Sequence, residues 1–216
     1  MTLEYDLFWS FRSPYSYLVT PRLVGFEAEY DVKCNVRIVY PIAVRLEGFF
    51  KQVNPMWPPY LIRDTVRIAE MEGMPYAWPF PDPIVMDLQS GEVPKEQPYI
   101  GRLTRAGVLA AERGKGLPFI QEVSSVIFGG TRNWHEGDHL RQAAARAGLD
   151  MDELDDTAER EKDRLEKIVA ENEAAQKAAG HWGVPLMAFE GEPFFGQDRL
   201  DHLQWRMAQK GLKKRG

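Results

Sequence analysis

The sequence predicts an α/β fold in which a sheet-forming domain is split by a large all-helical insertion. Three observations carry this expectation. The chain opens with a strand, helix, strand pattern, closes with a tight hairpin and a final helix, and shows only helical or irregular texture between them. With 216 residues, of which 44% are hydrophobic and 12% aromatic, it has material for a core, which excludes wholesale disorder. A net charge of -5 argues against the nucleic-acid backbone as the main partner.

The first element is the apolar run Leu3 to Trp9, read as a buried strand that stops at Ser10. Glu4 and Asp6 stand there without a basic segment, so no secretory signal is expected. No apolar run approaches the roughly 20 residues that span a bilayer, and a cytoplasmic location is the expectation. Ser13 is a good N-cap and Pro14 suits a first helical turn, so a helix begins there. Leu18, Val19, Leu23, Val24 and Phe26 then recur at helical spacing. Val36, Ile38 and Tyr40 alternate with Arg37 and Val39 in a second strand that Pro41 ends, with Cys34 just ahead of it as a small buried residue. The connection is long enough for parallel pairing.

Helices are expected over 60–71, 100–113, 117–128 and 138–147. Residues 75–98, rich in Pro and aromatics, read as an ordered irregular connection that buries Trp78, Phe80 and Tyr99. Residues 150–179 place acids first and bases later, the order a helix dipole favours, and read as a solvated helix surface. Near the end, 183–189 is extended, Glu190-Gly191-Glu192 turns, and 193–195 is a short return strand. A last helix starts at Asp198, and 210–215 reads as a frayed basic tail. The expected division is 1–45 with 181–216 for the sheet domain and 46–180 for the insertion.

The chemistry is constrained by what is scarce. Cys34 is the only cysteine, so an internal disulfide, a CxxC pair and a multi-thiolate zinc site are excluded. His135 and His139 are four apart, but Gly137 lies between them and no third ligand is near in sequence, so no metal site is expected. The informative motif is Ser13-Pro14-Tyr15-Ser16 at a strand-to-helix junction. In thioredoxin-type folds the redox CxxC occupies this place, where free backbone N–H groups and the helix dipole stabilise a thiolate. Both cysteine positions are serine here. Ser13 taken alone is equally an N-cap, and Gly183-Val184-Pro185 taken alone is equally an ordinary strand entry; in thioredoxin-type folds the latter is the cis-Pro loop facing the active site.

Together, Phe8 to Leu18 at the start, 60–69 with Gly73-Met74-Pro75 in the middle, and Gly183-Val184-Pro185 with Phe195 to Leu200 at the end resemble the 2-hydroxychromene-2-carboxylate isomerases. These belong with the kappa-class glutathione transferases in the wider DsbA-like thioredoxin superfamily. The resemblance implies a thioredoxin-like fold split by the helical insertion, with glutathione as cofactor. Ser13 matches the serine that hydrogen-bonds the glutathione sulfur. Val184, before cis Pro185, matches the residue whose backbone pairs with the cysteinyl unit, and Gln197 and Asp198 match the pair that holds the γ-glutamyl end. The activity implied is isomerisation of an aromatic unsaturated keto acid by reversible addition of the glutathione thiolate.

Tyr15, Trp57, Tyr60 and Trp78 are the candidate contacts to such a flat substrate, and Arg12, Arg45 and Arg63 the candidate partners of its carboxylate. Relatives are commonly dimers, so a homodimer is expected. The chain departs from the family pattern at Ser10, often an acid, and at Trp57, often a lysine, which alters the charge of the site. A kappa-class-like transferase and a non-catalytic thioredoxin-fold binding protein are the alternatives.

Overall fold

A computed structural model describes residues 2–87 and 90–216. Strand β1 (Leu3–Trp9) buries Leu7, Phe8 and Trp9 in succession, as a strand covered on both faces must. Helix α1 (Pro14–Glu29) follows, and β2 (Val32–Ile38) returns parallel to β1. At the far end β3 (Leu186–Phe189) pairs antiparallel with β1, and β4 (Glu192–Phe195) antiparallel with β3, giving the order β2-β1-β3-β4. The β3–β4 hairpin turns through Glu190 and Gly191 at φ 48° and 83°, the left-handed pair that a two-residue turn needs. This is the split, thioredoxin-type sheet expected, with helices α2 (Ile42–Arg45), α3 (Phe49–Gln52), α4 (Trp57–Glu72), α5 (Pro98–Glu112), α6 (Gly116–Phe128), α7 (His139–Arg146), α8 (Met151–Arg160) and α9 (Lys162–Ala178) between its halves. After β4, a 3-10 turn (Gln197–Arg199) leads into α10 (Leu200–Ala208).

Several elements differ from the expectation. β2 begins at Val32, and Cys34 lies inside it, because Val32 and Cys34 share the buried parity of Ile38. The charged stretch 150–179 is two helices, broken at Glu161, and α9 is more than a solvated surface. Its Asn172 and Gln176 are buried, donating to the Ile38 carbonyl at 3.0 Å and the Gly183 carbonyl at 2.7 Å. The basic tail is not frayed. Asp31 N–H donates to the Lys213 carbonyl at 2.8 Å, Arg215 N–H to the Glu29 carbonyl at 2.8 Å, and Lys214 pairs with Glu29 at 2.6 Å. Backbone contacts at the end of α1, with the Glu29 carboxylate, hold a tail that is polar and exposed.

The 75–98 connection is ordered where described; Leu88 and Gln89 lie outside the described residues. Ala77 N–H donates to the Phe128 carbonyl at 2.7 Å, and Trp134 Nε1 to the Pro81 carbonyl at 2.8 Å. Trp78 and Phe80, however, remain 40% and 55% exposed. Arginines cover one face of each ring, Arg12 at 5.7 Å from Trp78 and Arg132 at 4.5 Å from Phe80, so cation–π contact replaces burial.

Candidate active site

Ser13 takes its position from the end of β1. Ser13 N–H turns back to the Ser10 carbonyl at 3.1 Å, Ser13 adopts extended dihedrals as the N-cap, and Pro14 opens the helix. The Ser13 hydroxyl accepts from Ser16 N–H at 3.2 Å and donates to the Val184 carbonyl at 3.3 Å. One side chain therefore joins the N-terminus of α1 to the loop before β3, across 171 residues of sequence.

That loop is pinned around Val184. Gly183 N–H donates to His181 Nδ1 at 2.9 Å, its carbonyl accepts from Gln176, and Gly196 N–H donates to the Pro185 carbonyl at 3.0 Å. The Val184–Pro185 peptide is cis. His181 stacks on Phe195 with ring centroids 3.8 Å apart, and burial lowers its pKa from the ordinary value.

Ser13 and Val184 open onto a cavity of about 580 Å³ bounded by the start of α1, the 182–184 loop, α2, α3 and the first turns of α4. Its walls are mainly aromatic and aliphatic, with Phe49, Trp57, Leu61, Trp78, Trp182 and Phe195 prominent. Ser10 lines it with a fully buried hydroxyl that has no hydrogen-bond partner among the described residues. Tyr15 also lines it, but its hydroxyl donates to Asp64 Oδ2 at 2.9 Å, and burial, reinforced by Asp64, raises its pKa far above the ordinary value. Tyr15 is therefore a neutral wall residue that ties α1 to α4, and no base.

The three candidate arginines separate. Arg12 lines the cavity but is held bidentately by Asp82, with both N···O distances 2.9 Å, and lies over Phe50 at 5.5 Å. Arg45 lines the cavity and donates to Gln176 Oε1 and the Trp182 carbonyl, each at 2.9 Å. Arg63 is exposed and outside the lining.

Of the residues expected from the sequence, Ser13, Tyr15, Trp57, Trp78 and Val184 share this one cavity. Tyr60 does not: the cavity stripe of α4 is Trp57, Pro58, Leu61 and Ile62, and Tyr60 falls beside it, 58% exposed. Pro185 adjoins Val184 without lining the cavity, and Gln197 and Asp198 lie past β4 outside it. Gln197 is gripped by Arg22 through its carbonyl and its Oε1, and Asp198 pairs with Arg199 at 2.6 Å. Asp82 and Gln176 support the site without any local sequence signal, since each holds an arginine made close only by folding, whereas His181 acts on Gly183 two residues away.

A family model described as a DSBA-like thioredoxin domain matches residues 5–208. No curated protein sequence matches the chain. Among solved structures, a 2-hydroxychromene-2-carboxylate isomerase is similar with a TM-score of 0.69 at 18% identity, covering 96% of each chain. A probable DsbA oxidoreductase from Streptomyces coelicolor has a TM-score of 0.66 at 16% identity, over 96% of this chain and 89% of that one. The cytosolic disulfide reductase DsbM from Pseudomonas aeruginosa, solved with glutathione, has a TM-score of 0.60 at 19% identity, over 96% and 98%. At these identities the likeness is one of fold.

Proposed function

The chain belongs to the DSBA-like thioredoxin family, and we propose that it is a cytoplasmic glutathione-dependent isomerase of aromatic unsaturated keto acids, of the 2-hydroxychromene-2-carboxylate type. One observation carries the reading: the Ser13 hydroxyl sits at a helix N-terminus, facing the Val184 carbonyl beside an aromatic cavity. The chain's single thiol lies elsewhere. Cys34 is buried in β2, where desolvation pushes its pKa up, so a reactive thiolate has to come from outside. A glutathione complex of a DsbM neighbour, named as cytosolic, supports both the ligand and the compartment.

The residues fit a small thiol peptide. Val184 offers a backbone N–H and carbonyl to an extended segment, in the manner of an added strand. The Ser13 hydroxyl donates to the Val184 carbonyl. A bound cysteinyl unit would take over that carbonyl with its own N–H, and the Ser13 hydroxyl would turn to the sulfur while still accepting from Ser16 N–H. With the positive end of α1, this donation lowers a thiol pKa from its reference of about 8.5. Asp198 would receive the γ-glutamyl ammonium beside Gln197. Bound there, glutathione would supply a thiolate for reversible addition to the conjugated double bond of the ring-opened acid, the chemistry that permits rotation about that bond. The aromatic walls keep the flat substrate beside Ser13 and exclude water.

Calorimetric titration of glutathione into the protein tests the reading, followed by an absorbance assay of ring-opened and ring-closed acid with and without glutathione. Saturable binding and glutathione-dependent interconversion are expected. Absence of binding heat at millimolar glutathione refutes it.

A further inference from the structure

We infer that Arg45 is the carboxylate-binding residue of the cavity and determines its selectivity for anionic ligands. The inference rests on the proposed reading only in taking the cavity as the ligand site. A guanidinium carries five N–H donors in a planar fork. Arg45 commits two of its donors here, and both go to neutral acceptors, Gln176 Oε1 and the Trp182 carbonyl. Its Nε is buried and has no partner among the described residues.

The contrast with other half-buried arginines is specific. Arg12, Arg37, Arg102, Arg105 and Arg206 each hold a carboxylate, at distances from 2.7 to 2.9 Å. Arg22 and Arg45 meet only neutral acceptors, and of these two only Arg45 lines the cavity. Arg12, the other cation in the wall, is neutralised by Asp82. Glu173 is the acid that acts on Arg45 electrostatically, but its carboxylate is turned to Tyr40 N–H at 3.2 Å. Burial lowers the proton affinity of Arg45, and the attraction of Glu173 offsets only part of that effect. Its orientation is fixed in advance: Gln176 is fully buried and anchored to the Gly183 carbonyl, so the fork is held for a ligand before one arrives.

A carboxylate here could come from the aromatic substrate or from the glycyl end of glutathione, and two arms separate them. In the first, 2-naphthoate and neutral 2-naphthamide are titrated without glutathione into the wild-type protein, Arg45→Met and Arg45→Lys, following the fluorescence of the cavity tryptophans. In the second, glutathione alone is titrated into the same three proteins. Melting curves confirm that each variant is folded, and Arg45→Lys keeps the charge should Arg45→Met fail to fold. A charge-assisted Arg–carboxylate contact predicts that wild type prefers the naphthoate by at least about tenfold, with the preference lost in Arg45→Met and partly kept in Arg45→Lys. A loss confined to glutathione in Arg45→Met also supports the inference and assigns the carboxylate to the peptide. If neither naphthoate nor glutathione affinity depends on Arg45, the inference is overturned. Because the first arm contains no glutathione, a protein that ignores glutathione still reads out Arg45.

Discussion

Replacing Ser13 in two ways separates its structural duty from its chemical one. Its hydroxyl accepts a single N–H, that of Ser16, so Ser13→Ala removes an N-cap worth about 1 kcal/mol. For a chain of this size that is a fall in melting temperature of roughly 2–4 °C. Ser13→Asp keeps the acceptor and adds a charge that the helix dipole favours, but it sets a carboxylate against the Val184 carbonyl to which Ser13 donates, so its stability falls by about 1 kcal/mol for a different reason. Asp has no proton to donate, however, and sets a negative charge where the sulfur would lie. Two such charges about 4 Å apart repel by about 1 kcal/mol in bulk water and about 4 kcal/mol near a protein surface. The thiol pKa of bound glutathione in Ser13→Asp should therefore rise by roughly 1–3 units. Urea denaturation reads the first quantity; thiolate absorbance against pH, with calorimetry, reads the second. If Ser13→Asp binds glutathione thiolate as wild type does, or Ser13→Ala loses stability with glutathione binding unmoved, Ser13 is a cap and nothing more.

Other consequences follow from the same packing. A Cβ on Gly107 would lie 2.8 Å from Phe11 Cε2 and 3.0 Å from Ile38 Cγ1, so Gly107→Ala should lose about 1–2 kcal/mol in urea denaturation despite its better helix propensity. The Arg12–Asp82 pair joins the turn after β1 to the 75–98 connection, and a double-mutant cycle with Arg12→Met and Asp82→Asn should give a coupling of about 1–2 kcal/mol; a value near zero would show the bidentate contact to be inert. Burial lowers the His181 pKa, so the unfolded chain binds more protons on the acid side. The His181 contribution is complete above the unfolded value of about 6.5 and is lost as pH falls toward the lower folded value. Glu173, whose pKa burial raises, acts in the opposite sense, so the quantity to measure is the difference between wild type and His181→Gln, with the variant losing less stability on acidification. An identical pH slope in both proteins would show that His181 does not titrate in this range.

What the sequence disclosed and what it hid divide by the range of the cause. The cap of α1 was legible because Ser13, Pro14 and Ser16 satisfy one another within four positions. The hairpin was legible because Glu190-Gly191 supplies its own turn geometry. The start of β2 was missed because Lys33 and Asn35 mask the buried parity of Val32 and Cys34. The tail reads as frayed in sequence because its partners, Glu27, Glu29 and Tyr30, lie at the other end of the chain. Five of the expected site residues meet in one cavity, whereas Tyr60 lies beside the cavity stripe of α4, whose phase composition alone does not fix.

The deepest omission concerns α9, and it bears on how the site works. Its charged sequence looks solvated, yet buried Gln176 ends in an amide with two faces. The oxygen takes Arg45, and the nitrogen donates to the Gly183 carbonyl one residue before Val184. A carboxylate in the same place could serve Arg45 but not Gly183, and an ammonium could serve Gly183 but not Arg45. An amide holds both the cation and the peptide-facing loop, and it adds no negative charge beside the cation. Gln176 therefore explains how one cavity can keep in its wall an arginine whose hydrogen bonds go to neutral acceptors, and a pinned loop before Val184 at its mouth. It also places the support of the proposed anion selectivity in a helix that contributes no residue to the cavity wall.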